Sequence, residues 1–262
     1  MTALAAGTVV RLMRTATWNL IDDGECTASA YAVCRPDRRW FVSIDTWDEA
    51  AYAPLLSAVS DDLRQDLYTN LSGDDGPGLD RWRRLGFAVA RREILYAVPV
   101  DPAITGLGDV LPPGIVLLSA DAAEENRLRE LDNALRADVP GTEGWVNDPA
   151  EFREHTFDER YFDPATYLVA VDDARETFAG LVRVWNHPRH ARLGLIGVAP
   201  PYRRRGLARA LLGAAFLPLH ERGVTSVAAE ADATNVASVA LLEGIGAQRT
   251  GETLELLRRR ER

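Results

Sequence analysis

The chain has 262 residues, of which 47% are hydrophobic and 26% are charged, a balance typical of a globular protein that buries one or two cores. Its formal net charge of −9 argues against a general nucleic-acid binder, because neutralising phosphates requires a basic face. The same charge is compatible with a cationic substrate. The two cysteines and four histidines have no metal-ligand spacing, so we expect no metal.

No apolar segment approaches the roughly 20 residues that cross a bilayer. The first residues, MTALAAGTVVRLMR, lack the basic region that opens a signal peptide. We therefore expect a cytoplasmic chain with no membrane partner. The sequence pattern does not decide between a monomer and a homodimer.

The first half of the chain alternates strand and helix patterns. Strands are predicted at 28–34, 38–44, 66–71 and 88–100, and a helix at 51–63. The segment 99–114, PVDPAITGLGDVLPPG, is rich in proline and glycine and predicts a boundary. We place it between a first domain at 1–105 and a second at 106–262.

The second half continues the alternation. Strands are predicted at 115–119, in ATYLVAVD and FAGLVRVW, and at 192–198, 224–232 and 250–257. Helices are predicted at 122–137, from Gly206 to near Gly223, and at 235–243. This order predicts an α/β fold with a mixed central sheet and flanking helices.

A basic loop between a strand and a helix, at Leu193–Ala208, carries the most informative pattern of the chain. Arg203, Gly206 and Ala208 fit the spacing [QR]-x-x-G-x-[GA]. Gly206 lets successive backbone N–H groups converge on an anion, and the following helix adds its positive end. The alternative interpretation of the arginine run is an ordinary solvated surface.

The ends of the two halves resemble each other. Aligning Leu85-Gly86-Phe87 with Ile245-Gly246-Ala247 puts Asp75 opposite Asn235 and Trp82 opposite Leu242. In both halves a short helix and a glycine precede a closing strand. This internal repeat predicts two tandem copies of one fold.

Two motifs in the second half resemble those of the GNAT superfamily of N-acetyltransferases. The first is the Arg203-x-x-Gly206-x-Ala208 loop, and the second is Asn235-x-x-Ser238 followed by a short helix and Gly246. The resemblance covers about residues 115–258 and implies that the second domain uses acetyl-CoA as acyl donor. Together with the internal repeat it implies two tandem GNAT-like domains. The residues it assigns to the pyrophosphate are Arg203, Arg204, Arg205, Gly206, Leu207 and Ala208.

The resemblance also implies a place for the pantetheine arm, between strands 192–198 and 224–232. These strands are expected to separate near a bulge at Val198. Ile196 and Val198 would pair with the arm, and the backbone amide of Val198 would stabilise the thioester oxygen. Asn235 and Ser238 would contact the arm as well, although Asn235 also fits an ordinary helix N-cap.

The first half resembles a degenerate copy of the same fold. Between Ile44 and Leu55 it has DTWDEAAYAPL instead of a glycine loop. We therefore expect residues 1–105 not to bind the cofactor.

The second half departs from the family pattern at its acid and its base. Leu242 occupies the position where many members have a tyrosine acid, and 192–198 contains no carboxylate. Glu230 is the first candidate base, although a solvent-facing strand residue is the simpler interpretation. Asp138 and Glu143 are candidate substrate contacts, although turn chemistry also explains them.

The sequence thus predicts an acetyl-CoA-dependent N-acetyltransferase that acts on an amine of a small molecule or peptide. The amine would attack the thioester directly in a ternary complex. Because the usual acid and base are missing, a non-catalytic acyl-CoA-binding regulatory module is the alternative.

Overall fold

The computed structural model describes residues 15–108, 110–142, 144–186 and 191–260. The strands are β1 Thr15–Asp22, β2 Glu25–Cys34, β3 Trp40–Asp45, β4 Leu67–Ser72, β5 Ala88–Pro99, β6 Ile115–Ser119, β7 Tyr167–Asp172, β8 Thr177–Asn186, β9 Ala191–Val198, β10 Ser226–Asp232 and β11 Gln248–Arg258. The helices are α1 Tyr52–Leu63, α2 Gly76–Arg84, α3 Pro102–Thr105, α4 Glu125–Arg136, α5 Pro149–Thr156, α6 Leu207–Glu221 and α7 Val236–Glu243.

All of these strands join one continuous sheet, in the order β1-β2-β3-β4-β11-β5-β10-β9-β8-β7-β6. Most neighbours are antiparallel, whereas the pairs β3–β4 and β9–β10 are parallel. The predicted α/β fold, with a mixed central sheet and flanking helices, is therefore confirmed.

The two halves repeat one another around the centre of this sheet. The order β1-β2-β3-α1-β4-α2-β5 recurs as β7-β8-β9-α6-β10-α7-β11, with β6, α4 and α5 added before the second copy. The closing strands are exchanged: β11 lies between β4 and β5, and β5 lies between β11 and β10. The predicted boundary near residue 105 therefore does not separate two independent sheets.

The internal repeat seen in the sequence has a matching local geometry. Asp75 caps α2 by accepting from the backbone N–H of Gly78, and Asn235 caps α7 by accepting from that of Ser238. Their backbone angles agree closely, at φ −82° and ψ 73° against φ −79° and ψ 76°. After each helix a glycine has a positive φ, +87° at Gly86 and +84° at Gly246.

Each exchanged strand packs in the core of the other half. Leu254 and Leu256 of β11 are buried with α1 and α2 against the first half of the sheet. Tyr96 and Val98 of β5 are buried with α6 and Leu242 against the second half. Since both cores share these two strands, neither half has a complete core of its own.

Among the described residues, helices cover the other face of the sheet over its second half only. Helices α4 and α5 pack there on β7, β8 and β9 through a separate apolar cluster. The segment that follows α4 reaches the centre of the sheet, where the Pro140 carbonyl accepts from Arg91 at 2.7 Å. This cover creates the space described below.

We predict that Leu256→Ala destabilises the whole chain, although Leu256 belongs to the last strand. The leucine is fully buried in the core of the first half, so its truncation should lower the free energy of unfolding by about 2–5 kcal/mol. Urea denaturation monitored by circular dichroism should show a single unfolding transition, with its midpoint at a lower urea concentration than in the wild-type protein. Val236→Ala, at an exposed position, should change stability by less than about 0.5 kcal/mol. Two resolved transitions, of which only one moves, would contradict a shared core.

Candidate active site

Strands β9 and β10 separate to form a gap in the sheet. They are paired at a single register position, Arg192 with Ala228. Beyond it the two strands diverge toward Val198 and Asp232. The predicted separation is therefore observed, and it leaves one edge of β9 without a neighbouring strand.

The free edge of β9 presents the backbone groups of Ile196 and Val198. The amide of Ala199 donates to Ala179 on the β8 side at 2.8 Å, which makes this a hydrogen-bonded pair. Hydrogen-bonded and non-hydrogen-bonded pairs alternate along an antiparallel ladder. In the register Val198–Gly180 and Ile196–Val182, both β9 residues therefore direct their N–H and C=O groups away from β8, into the gap.

The prediction of a bulge at Val198 is wrong. The register between β8 and β9 shifts at Gly194, four residues earlier. A Cβ at Gly194 would lie 3.1 Å from the ring of Trp185, which explains why a glycine stands where the strand bends over that ring. The strand from Leu195 to Val198 is regular.

The basic loop has the geometry expected of an anion cradle. Gly206, at φ +80°, is the N-cap of α6 and offers no side-chain hydrogen bond to the helix. A Cβ at Gly206 would meet no atom within 4 Å, so the space in front of the helix end is open. The N–H groups of the first turn, which begins with Leu207 and Ala208, have no partner within the helix.

The three arginines of the loop have different surroundings. Arg203 forms an ion pair with Asp138, and its Nε donates to the Val198 carbonyl at 2.8 Å. Arg204 has a positive φ of +63°, and Arg205 lies with its guanidinium carbon 5.8 Å from the ring centre of Tyr202. Arg204 and Arg205 form no ion pair with any residue that the structure describes.

Tyr202 anchors the loop to the sheet. Its ring is buried, and its hydroxyl donates to Asp172 Oδ2 at 2.9 Å at the end of β7. This contact ties the start of the loop to a strand two places away from β9.

A cavity of about 960 Å³ opens from the gap onto the face covered by α4 and α5. Ile196, Asn235 and Ser238 line its entrance at the gap. Further inside, the walls come from both halves of the chain, with Asn70 and Glu93 from the first half and Arg183 from the second. Three predicted cofactor residues thus meet one cavity, together with residues of the first half.

Glu230, the predicted base, lines the cavity but is ion-paired. Its carboxylate accepts from Arg192 Nη2 at 2.8 Å, and both side chains are more than one third exposed. Asp138 is bound to Arg203, and Val139 and Thr142 of the same segment line the cavity instead. Glu143 lies outside the described residues.

The sequence analysis missed Glu93, a cavity residue on the exchanged strand β5. Burial raises the pKa of the Glu93 carboxyl. The neighbouring Arg91 guanidinium acts in the opposite direction, but its effect is smaller. The alternation of charged and apolar residues in ARREILYAV is a weak signal for a polar strand face. Only the strand exchange brings that face beside β10.

Buried charged side chains hold the layer of α4 and α5, which covers the cavity, in place. Asp132 Oδ1 accepts from Arg136 Nε at 2.6 Å and from the side-chain amide of Asn147 at 2.7 Å. Arg183 is buried, and burial lowers its guanidinium pKa. Arg183 donates to the His155 carbonyl at 2.7 Å and stacks 4.6 Å from the ring centre of Trp185.

Two kinds of feature are absent from the described ranges. No group of three or more His, Cys, Asp or Glu side chains with the arrangement of a metal site occurs in 15–108, 110–142, 144–186 or 191–260. In the same ranges, no helix has both the length and the apolar composition that a membrane crossing requires.

The comparisons with known proteins agree with this geometry. The family model for the acetyltransferase (GNAT) family matches residues 128–247. The mycothiol acetyltransferase of Salinispora tropica is 30% identical over 162 residues, or 60% of this chain and 49% of that protein. The mycothiol acetyltransferase of Clavibacter sepedonicus is 32% identical over 172 residues, or 64% and 51%. The chain thus spans about half the length of the curated relatives it matches.

Solved structures extend the likeness to the whole fold. A GCN5-related N-acetyltransferase from Sphaerobacter thermophilus has a TM-score of 0.71 at 18% identity, covering 92% of this chain and 79% of that one. A tandem GNAT protein from the clavulanic acid biosynthesis pathway has a TM-score of 0.69 at 15% identity, covering 95% and 84%. Residues 128–247 are therefore similar to the acetyltransferase (GNAT) family, and the chain has a fold that a tandem GNAT protein shares.

Proposed function

We propose that the chain is an acetyl-CoA-dependent N-acetyltransferase acting on a primary amine of a small molecule or peptide. The observation that carries the proposal is the succession of three features: the open N-terminal end of α6 at Gly206, the free edge of β9 at Val198 and Ile196, and the cavity that Ile196 lines.

Each part of the path suits one part of acetyl-CoA. The first-turn N–H groups after Gly206, with Arg204 and Arg205, suit the pyrophosphate. The free N–H and C=O of Ile196 and the N–H of Val198 suit the amides of the pantetheine arm, whereas the Val198 carbonyl accepts from Arg203. Asn235 and Ser238 line the same gap. Acetyl-CoA supplies an activated acetyl thioester, and a Val198 N–H near the thioester would stabilise charge on its oxygen.

The acceptor amine would enter from the covered face of the sheet. The cavity meets the gap at Ile196, so an amine bound there reaches the thioester without passing the cofactor. Holding both reactants at this junction supplies much of the rate through proximity. The name of the curated relatives suggests a small-molecule acceptor, which we adopt as part of the proposal.

The first half is proposed as a degenerate copy that binds no cofactor. At the junction of β3 and α1, the Asp48 carboxylate accepts from the N–H of Ala50 at 2.9 Å. This carboxylate caps the short 3-10 turn Glu49–Ala51 that leads into α1, whereas α6 begins at the open cradle of Gly206. Phosphate would be repelled there, and no glycine turn makes room for it.

A non-catalytic acyl-CoA-binding module is the second candidate. It is favoured by Leu242, which is 3% exposed at the position of the family's tyrosine acid, and by the ion pair that holds Glu230. Both candidates require acetyl-CoA to bind, and only the transferase requires turnover.

We predict that Gly206→Asp weakens acetyl-CoA binding by about a hundredfold or more, because the new carboxylate faces the diphosphate. Isothermal titration calorimetry measures the affinity. Gly223→Asp is the matched control, since Gly223 follows α6 at its other end with the same φ of +80° and the same open space. The control should bind acetyl-CoA normally. Unchanged affinity in Gly206→Asp would exclude the cradle as the cofactor site.

We predict that Asn235→Ala and Asp75→Ala have equal effects on stability and unequal effects on binding. Each variant loses one helix cap of the same geometry, which should cost about 1 kcal/mol in urea denaturation. Only Asn235→Ala should weaken acetyl-CoA binding, by about tenfold. If the two variants bound acetyl-CoA with equal affinity, Asn235 would act only as a helix cap.

We predict that the protein releases CoA thiol from acetyl-CoA only when a suitable amine is present. A thiol-release assay should cover polyamines, aminoglycosides, amino acids, peptides and the acceptor of the mycothiol acetyltransferases. Gly206→Asp should abolish the signal. If no amine in the panel caused thiol release while acetyl-CoA still bound, the regulatory module would be favoured.

A further inference from the structure

The cavity wall beside the gap carries three carboxylates on adjacent strands, Glu230 and Asp232 on β10 and Glu93 on β5. Asp232 of β10 and Glu93 of β5 are register partners, so their side chains leave the same face of the sheet. Both line the cavity. Asp232 belongs to the second half and Glu93 to the first, and the strand exchange alone makes them neighbours.

Asp232 has one carboxylate oxygen without a hydrogen-bond partner. Its Oδ1 accepts from the backbone N–H and the hydroxyl of Thr234. Its Oδ2 is buried and accepts no hydrogen bond, and Arg91 Nε lies 3.8 Å away. The side chain is only 2% exposed, so this anionic oxygen is held out of solvent at the cavity wall. A buried, unpaired carboxylate oxygen is costly unless a donor reaches it.

The Glu93 carboxylate is hydrogen-bonded to Arg91, and its side chain remains partly exposed. Its Oε1 accepts from Arg91 Nη2 at 2.5 Å, and its side chain is 23% exposed toward the cavity. The other charged groups that act on it are Arg35, Glu230 and Glu255. The net effect of these neighbours and of burial is a raised pKa for the Glu93 carboxyl.

The other carboxylates near the gap are less suitable. Glu230 accepts from Arg192, and Asp138 is paired with Arg203. Glu255 accepts from Arg39 Nη1 at 2.9 Å, and although its Oε2 is buried without a hydrogen bond, Glu255 is not among the residues that line the cavity. Among the cavity residues that the structure describes, Asp232 and its register partner Glu93 are therefore the pair best arranged to accept hydrogen bonds from a cationic group.

We propose that Glu93 and Asp232 bind the ammonium group of the acceptor, and that Glu93 takes the proton which the amine loses before it attacks. This inference rests on the proposed function and extends it, because it makes the first half a contributor to the reacting centre. The first half would then lack a cofactor and still be required for turnover.

The proposed step balances without any further reactant. The bound ammonium gives one proton to the Glu93 carboxylate, and the freed nitrogen lone pair forms a bond to the thioester carbon. The tetrahedral intermediate then breaks its carbon–sulfur bond, and the nitrogen's second proton goes to the departing thiolate. Glu93 returns its proton to solvent. The products are the amide, CoA thiol and one proton.

The binding part is tested with two CoA thioethers of nearly equal shape. S-(2-aminoethyl)-CoA places an ammonium group near the attacking nitrogen's position, and S-propyl-CoA places a methyl group there. The wild-type protein should bind the aminoethyl compound about tenfold more tightly in calorimetry. Glu93→Gln and Asp232→Asn should each lose this preference and keep their affinity for S-propyl-CoA, which reports an intact fold.

Glu230→Gln is the matched control, since it makes the same charge change on the same face of β10. It should retain the preference for the aminoethyl compound. A wild-type protein that binds both thioethers equally would overturn the inference and leave the cofactor site standing. Loss of the preference in Glu230→Gln alone would transfer the role to Glu230. Binding of neither thioether would overturn the proposed function, and this inference with it.

The proton-transfer part is tested with two amines that differ in their protonation at pH 7, at saturating acetyl-CoA. Ethanolamine is protonated and needs a base, whereas trifluoroethylamine is already neutral. Glu93→Gln should lower kcat/KM for ethanolamine about a hundredfold. The loss for trifluoroethylamine should be within a few fold. An equal loss for both amines, or no loss for either, would overturn the role of Glu93 in proton transfer.

Discussion

The pairing of β5 with β11 at the centre of the sheet is the constraint on which the rest of the structure depends. These antiparallel strands belong to opposite halves, and each completes the sheet of the other half. Leu256 is buried beside α1, and Tyr96 is buried beside α6. The exchange therefore joins two repeated units into one sheet with mutually dependent cores.

The candidate site is a product of the same pairing. In the second half, β9 and β10 separate and leave backbone groups of β9 free, and we propose that acyl-CoA binds there. The first half repeats this separation, since β3 and β4 pair only at Trp40 and Phe41, yet the Asp48 carboxylate caps the short turn that leads into α1. One half keeps the cradle, and the other supplies a wall of the cavity through β5.

The sequence predicted the parts of the site that depend on local chemistry. The Gly206 loop and the matched positions of Asp75 and Asn235 follow from motifs a few residues long, and the family resemblance that these motifs carry implied the free edge of β9. The strand exchange was not predictable, because the pairing of β5 with β10 joins residues more than one hundred positions apart. Glu93 was missed for that reason. The bulge was misplaced because its cause, the ring of Trp185 beneath Gly194, is a cross-strand contact.

The exchanged strands also affect how the chain can reach its native state during synthesis. Strand β5 emerges early, but its neighbours β10 and β11 follow only after about one hundred and thirty further residues. During synthesis, the edge of β4 therefore has no partner strand on one side until β11 has been made. Only then is the sheet of the first half complete. Such late, long-range closure slows folding and exposes strand edges meanwhile. The two halves therefore become native together, once β11 has been synthesised.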